Sequence, residues 1–348
     1  MEYSIEQLKP FVFGLPWFGV EDYKLQRFPT SSLPRLPEPV RHLATHPAGG
    51  VIRFKARAKL IALEIDRPKE VLMAGFSQVG QYGIDIYRDG QWTAVLPTRD
   101  GYQHIWHQAD ESLEHEYALY LPTYAPLDLR TIILEADYPG VPEDGPAALP
   151  PAPYKARGRV VVYGSSITQG AFASRPGLAY PARLGRAIGA EVVNLGVAGA
   201  GKGEHEVSNL LAQIPNACMY IMDWGANMAD PKEAPLIRER YPYMIKVIRA
   251  RYPRVPIIFV MSQSFIMDAQ QPTWKEAIGI IRDAIRANYD ADKDAGNPCA
   301  LVDAREFIGP GDMDCTVDGA HCNDLGFDRY VQALLPVVQQ FIQKQKKE

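Results

Sequence analysis

An α/β domain on a five-stranded parallel sheet with helices on both faces, preceded by an all-β sandwich of jelly-roll type, is the architecture that three observations predict. A proline-rich stretch divides the chain; before it residues alternate with a period of two between turn signals; after it short apolar runs alternate with segments of helical length. The divider is 139–153, where Pro139, Pro142, Pro146, Pro150, Pro151 and Pro153 stand among Gly140, Gly145 and several alanines. That composition continues neither a helix nor a central strand. It sets a sandwich domain over 1–150 and an α/β domain over 155–348.

In the first domain Val51 to Ala58 alternates apolar and charged residues, Ile61, Leu63 and Ile65 share one face, and Ile84 and Ile86 precede a hairpin signal at Asp89-Gly90. Further strands are expected over Tyr117 to Leu121 and Thr131 to Ala136. No helical period appears after about residue 45, and turn signals recur about every dozen residues, which favours a sandwich over an open sheet. Such a domain either supports its neighbour or binds and shapes access to a substrate. The aromatic stretch Phe11, Phe13, Trp17 and Phe18 packs between the two domains or against a second copy of the chain, a homo-oligomer; packing between domains is the simpler reading.

In the second domain Arg159 to Tyr163, Glu191 to Leu195, Cys218 to Asp223, Val255 to Met261 and Ala300 to Ala304 are short and mostly apolar, as strands covered on both faces must be. Helical segments lie between and after them: Tyr180 to Ile188, Glu204 to Gln213, Ala234 to Arg251, Thr273 to Tyr289 and Leu325 to Gln343. Regular alternation implies a parallel, doubly wound sheet. Ligands of such sheets sit outside the carboxyl ends of the strands, so function is sought in the loops that leave those ends.

Composition narrows the function classes. With 348 residues and 47% hydrophobic content the chain can bury substantial cores. Lys plus Arg number 37 against 41 for Asp plus Glu, a net charge of -4, which excludes the basic excess of a non-specific nucleic-acid or anionic-membrane binder. The N-terminus carries Glu2 and Glu6 where a signal peptide has basic residues, and its apolar stretch falls short of the ~20 residues a spanning helix needs. Cys218, Cys299, Cys315 and Cys322 lack the spacing of a disulfide framework, so a cytoplasmic location is expected. Cys315 and Cys322 flank Asp318 and His321, but no zinc-ligand spacing accompanies them, and no metal is expected.

The first strand leads into Gly164-Ser165-Ser166-Ile167-Thr168-Gln169-Gly170. A serine in a glycine-flanked strand-to-helix turn is exposed and lies near free amide N–H groups; taken alone, helix capping explains it better. After the second strand comes Gly196-Val197-Ala198-Gly199-Ala200-Gly201-Lys202-Gly203. Its spacing fits neither dinucleotide nor Walker fingerprints, but glycine here lets a backbone N–H approach a small ligand oxygen. The third loop, from Asp223 to Met228, holds Asn227, a neutral donor or simply a turn former; Asp223 is either a second acid or an acceptor of backbone or Trp hydrogen bonds. The last rim loop holds Asp318-Gly319-Ala320-His321, and only this histidine has a carboxylate three residues upstream on the rim. A serine hydroxyl attacks well only when a neutral imidazole takes its proton, and a carboxylate fixes that imidazole's tautomer. Ser166, Gly199, Asn227 and the Asp318/His321 pair fall on four loops of one rim, a coincidence that chance explains poorly.

The order GSSITQG, NLGVAG, GAN, DGAH resembles the four blocks of the SGNH (GDSL-like) hydrolase superfamily. With SRPGLAYPARLG and NLGVAGAGKGEHEV, the stretch Tyr163 to Asn227 resembles the subgroup that carries a β-sandwich before the hydrolase domain, similar to bacterial carbohydrate esterases. The resemblance covers about 155–343, and the first 150 residues in general character. It implies a flavodoxin-like SGNH sheet, Ser166 as nucleophile, His321 as general base and acid, and Asp318 as its orienting acid. The Ser166 and Gly199 N–H groups with the Asn227 side chain would form the oxyanion hole. It further implies a serine esterase that removes a short acyl group, foremost acetyl, from a sugar or small oligosaccharide, with no cofactor. Ser165 stands where an acidic residue usually precedes the nucleophile, and Ala226-Asn227-Met228 where Asn-Asp is common, which agrees better with the sandwich-bearing subgroup than with a generic lipase. The other readings are a non-catalytic carbohydrate-binding protein and an esterase or thioesterase for a non-sugar metabolite.

Overall fold

The computed structural model describes residues 1–345 and divides into two compact units. One comprises Met1–Leu33, Ala44–Tyr154 and Ser174–Gly177; the other comprises Pro34–Leu43, Lys155–Ala173 and the chain from Leu178 onward. A single cut near residue 150 therefore misses two exchanged segments. For Ser174–Gly177 the reason is a buried acid that a linear reading does not see: Asp85, fully buried, accepts from Arg175 Nη1 at 2.8 Å and from Gly177 N at 3.0 Å. The last residues of the 155–348 domain lie outside the described residues.

The first unit is a β-sandwich of nine strands: β1 (Glu2–Ser4), β2 (Val12–Phe13), β3 (Val51–Ala56), β4 (Leu60–Arg67), β5 (Ile84–Arg88), β6 (Gln91–Leu96), β7 (Gly101–Gln108), β8 (His115–Tyr120) and β9 (Asp128–Glu135). Two short helices, α1 (Glu38–Ala44) and α2 (Gln78–Tyr82), occur in this stretch of chain. The antiparallel sheets have orders β1-β9-β4-β7 and β2-β3-β8-β5-β6, so first and last strands are neighbours. Alternation puts Ile61, Leu63 and Ile65 of β4 into one core with Ile52 and Phe54 of β3, Ile84 and Ile86 of β5 and Tyr117 and Leu119 of β8. The hairpin at Asp89-Gly90 forms with φ of 50° and 78°, the left-handed pair a two-residue turn requires. Phe11 and Phe18 are buried in this same core, and Trp17 stacks on Phe28 at 6.2 Å, so the N-terminal aromatic stretch packs inside its own unit.

The second unit carries β10 (Arg159–Gly164), β11 (Glu191–Gly196), β12 (Ala217–Asp223), β13 (Ile257–Met261) and β14 (Cys299–Asp303), all parallel, in the order β11-β10-β12-β13-β14. Its helices are α3 (Ser166–Gln169), α4 (Tyr180–Ile188), α5 (His205–Gln213), α6 (Ile237–Arg251), α7 (Met267–Gln270), α8 (Pro272–Asp294) and α9 (Asp324–Gln345). Val160 to Tyr163 and Ile257 to Phe259 are wholly inaccessible, as expected of strands covered on both faces. The chain leaves β10 for β11 on one side and returns to β12 on the other, so the switch point of the sheet lies at β10 and β12. Gly164 pairs with Gly196 on one side and Asp223 on the other: three strands end level, and their loops leave side by side. Among the described residues no helix is long and apolar enough to cross a membrane.

Candidate active site

The turn after β10 divides its labour between two serines. Ser165 has extended backbone and its hydroxyl accepts from Ile167 N at 3.3 Å, so it is the helix cap. Ser166, the first residue of α3, is thereby released from capping, and its Oγ lies 2.8 Å from His321 Nε2. Gly164 makes the turn possible, because a Cβ there would stand 1.9 Å from Thr168 Oγ1 and 2.5 Å from the Asp223 carbonyl oxygen. Gly164→Ala is expected to destabilise the protein by about 1 to 3 kcal/mol, the usual range for overpacking, measurable as a lower urea midpoint at unchanged m-value.

His321 and Asp318 share one short loop. The Asp318 Oδ1 accepts from the backbone N–H of His321 at 2.8 Å and of Ala320 at 3.0 Å, which turns Oδ2 toward His321 Nδ1 at 2.7 Å. Burial raises the Asp318 carboxyl, but the hydrogen bonds from the His321 backbone and ring and from Ala320 outweigh it and hold the group below its ordinary value. An ionised acceptor at Nδ1 keeps the proton there and leaves the Nε2 lone pair for the Ser166 hydroxyl. The loop reaches Ser166 because α9, which comes directly after His321, packs on α4, with Tyr330 stacked on Tyr180 at 5.0 Å. The Cys322 thiol donates to Gln263 Oε1 at 3.2 Å, and Gln263 Nε2 donates to the Ala320 carbonyl at 2.7 Å, so the loop's far side is also fixed.

The two remaining rim loops are tied to the serine turn. Val197 N donates to the Gly164 carbonyl at 3.0 Å and Ala198 N to Gln169 Oε1 at 3.0 Å, while Gly196 lies so close that a Cβ would be 2.1 Å from Gln169 N. Gly199 is exposed with φ of +66°, and its N–H meets no acceptor among the described residues. Asn227, half-buried, donates from Nδ2 to the Val197 carbonyl at 3.2 Å, which sets its amide beside the Gly199 loop. All five residues singled out in the sequence thus belong to this one loop cluster. Asp223 differs from its sequence reading: its partners are the hydroxyls of Thr168 and Tyr180, at 2.9 and 2.8 Å. Phe172 was not legible at all; its ring lies 5.3 Å from the His321 ring on a backbone of φ +63°, a conformation that nothing in a phenylalanine announces.

The family model described as GDSL-like Lipase/Acylhydrolase family matches residues 157–339, and that described as N-terminus of Esterase_SGNH_hydro-type matches residues 5–135. No curated protein matches the chain. Among solved structures it is similar to a protein of Bacteroides ovatus ATCC 8483 described as a GDSL-like lipase, at 30% identity and a TM-score of 0.84, over 99% of this chain and 98% of that one. In fold it is also similar to a salicylyl-acyltransferase from a tetracycline biosynthetic pathway, at 16% identity and a TM-score of 0.76 over 88% and 87% of the two chains. A family two carbohydrate esterase from Cellvibrio japonicus shares the fold at 13% identity and a TM-score of 0.61 over 85% and 90%.

Proposed function

Because the chain belongs to the GDSL-like lipase/acylhydrolase family, we propose that it is a serine esterase that removes a short acyl group, foremost acetyl, from a sugar or oligosaccharide. The observation that carries this reading is the unbroken line from Ser166 Oγ through the His321 ring to Asp318, with contacts of 2.8 and 2.7 Å. Ser166 Oγ attacks the acyl carbonyl while its proton passes to His321 Nε2, and Asp318 stabilises the imidazolium. The carbonyl oxygen, now negative, is met by the Ser166 and Gly199 N–H groups and the Asn227 amide. His321 returns the proton to the departing alkoxide oxygen, leaving an acyl-enzyme. Water then adds with His321 again as base, and the carboxylic acid leaves as Ser166 regains its proton. The carbohydrate preference rests on analogy of fold with the family two carbohydrate esterase.

Acetate release from acetylated xylo-oligosaccharides, set against release from p-nitrophenyl acetate and an acyl-thioester, tests the reading. Turnover of the first supports it; turnover confined to the others moves the substrate away from sugars, and turnover of none removes the esterase. Asn227→Ala is expected to lower kcat 100- to 1,000-fold with a small change in KM, as loss of one oxyanion donor does. A fall of less than about threefold, within the spread of such measurements, would take Asn227 out of the oxyanion site.

A further inference from the structure

Behind the Ser166–His321 pair lies a buried acid that the proposed mechanism leaves idle. Asp223, the last residue of β12, is 8% exposed, and its Oδ2 lies 2.9 Å from Thr168 Oγ1 and 2.8 Å from Tyr180 OH. Those two hydroxyl oxygens are themselves 3.1 Å apart. Thr168 stands two residues after Ser166 in α3, a helix of four residues that is too short to hold itself. Its placement comes from tertiary bonds: the Thr168 hydroxyl to Asp223, the Thr168 carbonyl to Asn194 Nδ2 at 2.8 Å, and the Gln169 side chain to Ala198 N.

We propose that Asp223 is a positioning residue which, as a neutral carboxylic acid, fixes the Ser166-bearing turn through Thr168. The inference rests on the reading of Ser166 as nucleophile. Three mutual oxygen contacts need three protons. The two hydroxyls supply two, and a protonated Asp223 supplies the third, closing a ring in which Asp223 donates to Thr168, Thr168 to Tyr180 and Tyr180 to Asp223. An ionised Asp223 leaves one contact without a proton. The titratable groups that face it are the phenols of Tyr180 on α4, Tyr241 on α6 and Tyr330 on α9 and the Cys322 thiol, and among the described residues no cation offsets its charge. Burial pushes the Asp223 carboxyl up to about 7, against the lowering effect of the two hydroxyl bonds.

The test uses the full chain with two readouts: p-nitrophenyl acetate kinetics, and the rate at which a fluorophosphonate labels Ser166. In labelling, Ser166 Oγ bonds to phosphorus, fluoride leaves and the hydroxyl proton goes to His321. Asp223→Ala is expected to lower kcat and labelling rate about 30-fold with KM within about threefold, and Asp223→Asn, neutral and still a donor, to restore both to within about threefold. Wild-type labelling is expected to decline as pH rises through about 7 relative to Asp223→Asn, which lacks that limb. Equal impairment of the Asn and Ala variants, or one pH profile shared by wild type and Asp223→Asn, overturns the proposal. Should the Ala variant not fold, the Asn profile decides alone. Wild type that neither labels nor turns over overturns the nucleophile reading itself, a result distinct from labelling that ignores Asp223.

Discussion

Ser166→Ala is expected to lower kcat on p-nitrophenyl acetate by about ten-thousandfold or more while KM stays nearly constant. The substitution removes one oxygen and leaves the rest of the cluster standing: the Asp318–His321 pair is held by its own loop, and the Gly199 loop by Gly164 and Gln169. Residual turnover should therefore reflect the oxyanion donors acting on water alone. Combining Ser166→Ala with His321→Ala should add little, because the two groups act as one unit in proton transfer. Steady-state kinetics with circular dichroism as a control for folding measures this. A single variant that keeps more than about one hundredth of wild-type kcat would place the nucleophile elsewhere.

Asp318→Asn is expected to be nearly as damaging, with a fall of about ten-thousandfold in kcat and an intact fold. Asparagine can keep its oxygen on the N–H groups of Ala320 and His321, since those bonds, at 3.0 and 2.8 Å, hold the side chain in place. Its amide group then faces His321 Nδ1 as a donor. Nδ1 must become the acceptor, the ring proton moves to Nε2, and Nε2 presents a hydrogen to Ser166 Oγ where a lone pair is needed. The damage is thus tautomeric, and it should appear in kcat and leave KM almost untouched. In the wild type the carboxylate stays charged as pH falls through the ordinary carboxylate range, because hydrogen bonds hold it below that range. Its contribution to stability is present above the unfolded-state value and is lost only as pH drops through the lowered folded value.

The second unit was legible because buried parallel strands are nearly continuous apolar runs, and strand ends locate loops. Ser166, Gly199, Asn227, Asp318 and His321 stand out once attention is confined to the loops at the carboxyl ends of those strands. Boundaries slipped where local chemistry differs from pattern: Val255 and Pro256 precede β13, since Pro256 has no N–H for the ladder, and α6 begins at Ile237 because Ala234–Leu236 forms a tighter turn. In the sandwich, β1 and β2 are too short to show a period. β7 hid for another reason. Its outward side chains include Tyr102 and Trp106, 51% and 64% exposed, and its inward ones include Gln103 and His107, so polarity does not track the faces. The Thr168–Tyr180–Asp223 ring was illegible because its members come from three elements and none has a spacing that links it to the others.

The contacts that meet at His321 differ in how far along the chain they reach. Asp318 is three positions away and Ser166 is 155. Closing the longer loop costs more chain entropy, on the order of 3 kcal/mol by logarithmic scaling. The acid and base are therefore aligned by a short peptide with little help from the rest of the molecule, whereas the serine is delivered only when β10, β12 and α9 have assembled. Anything that loosens the sheet will separate serine from histidine long before it separates histidine from aspartate.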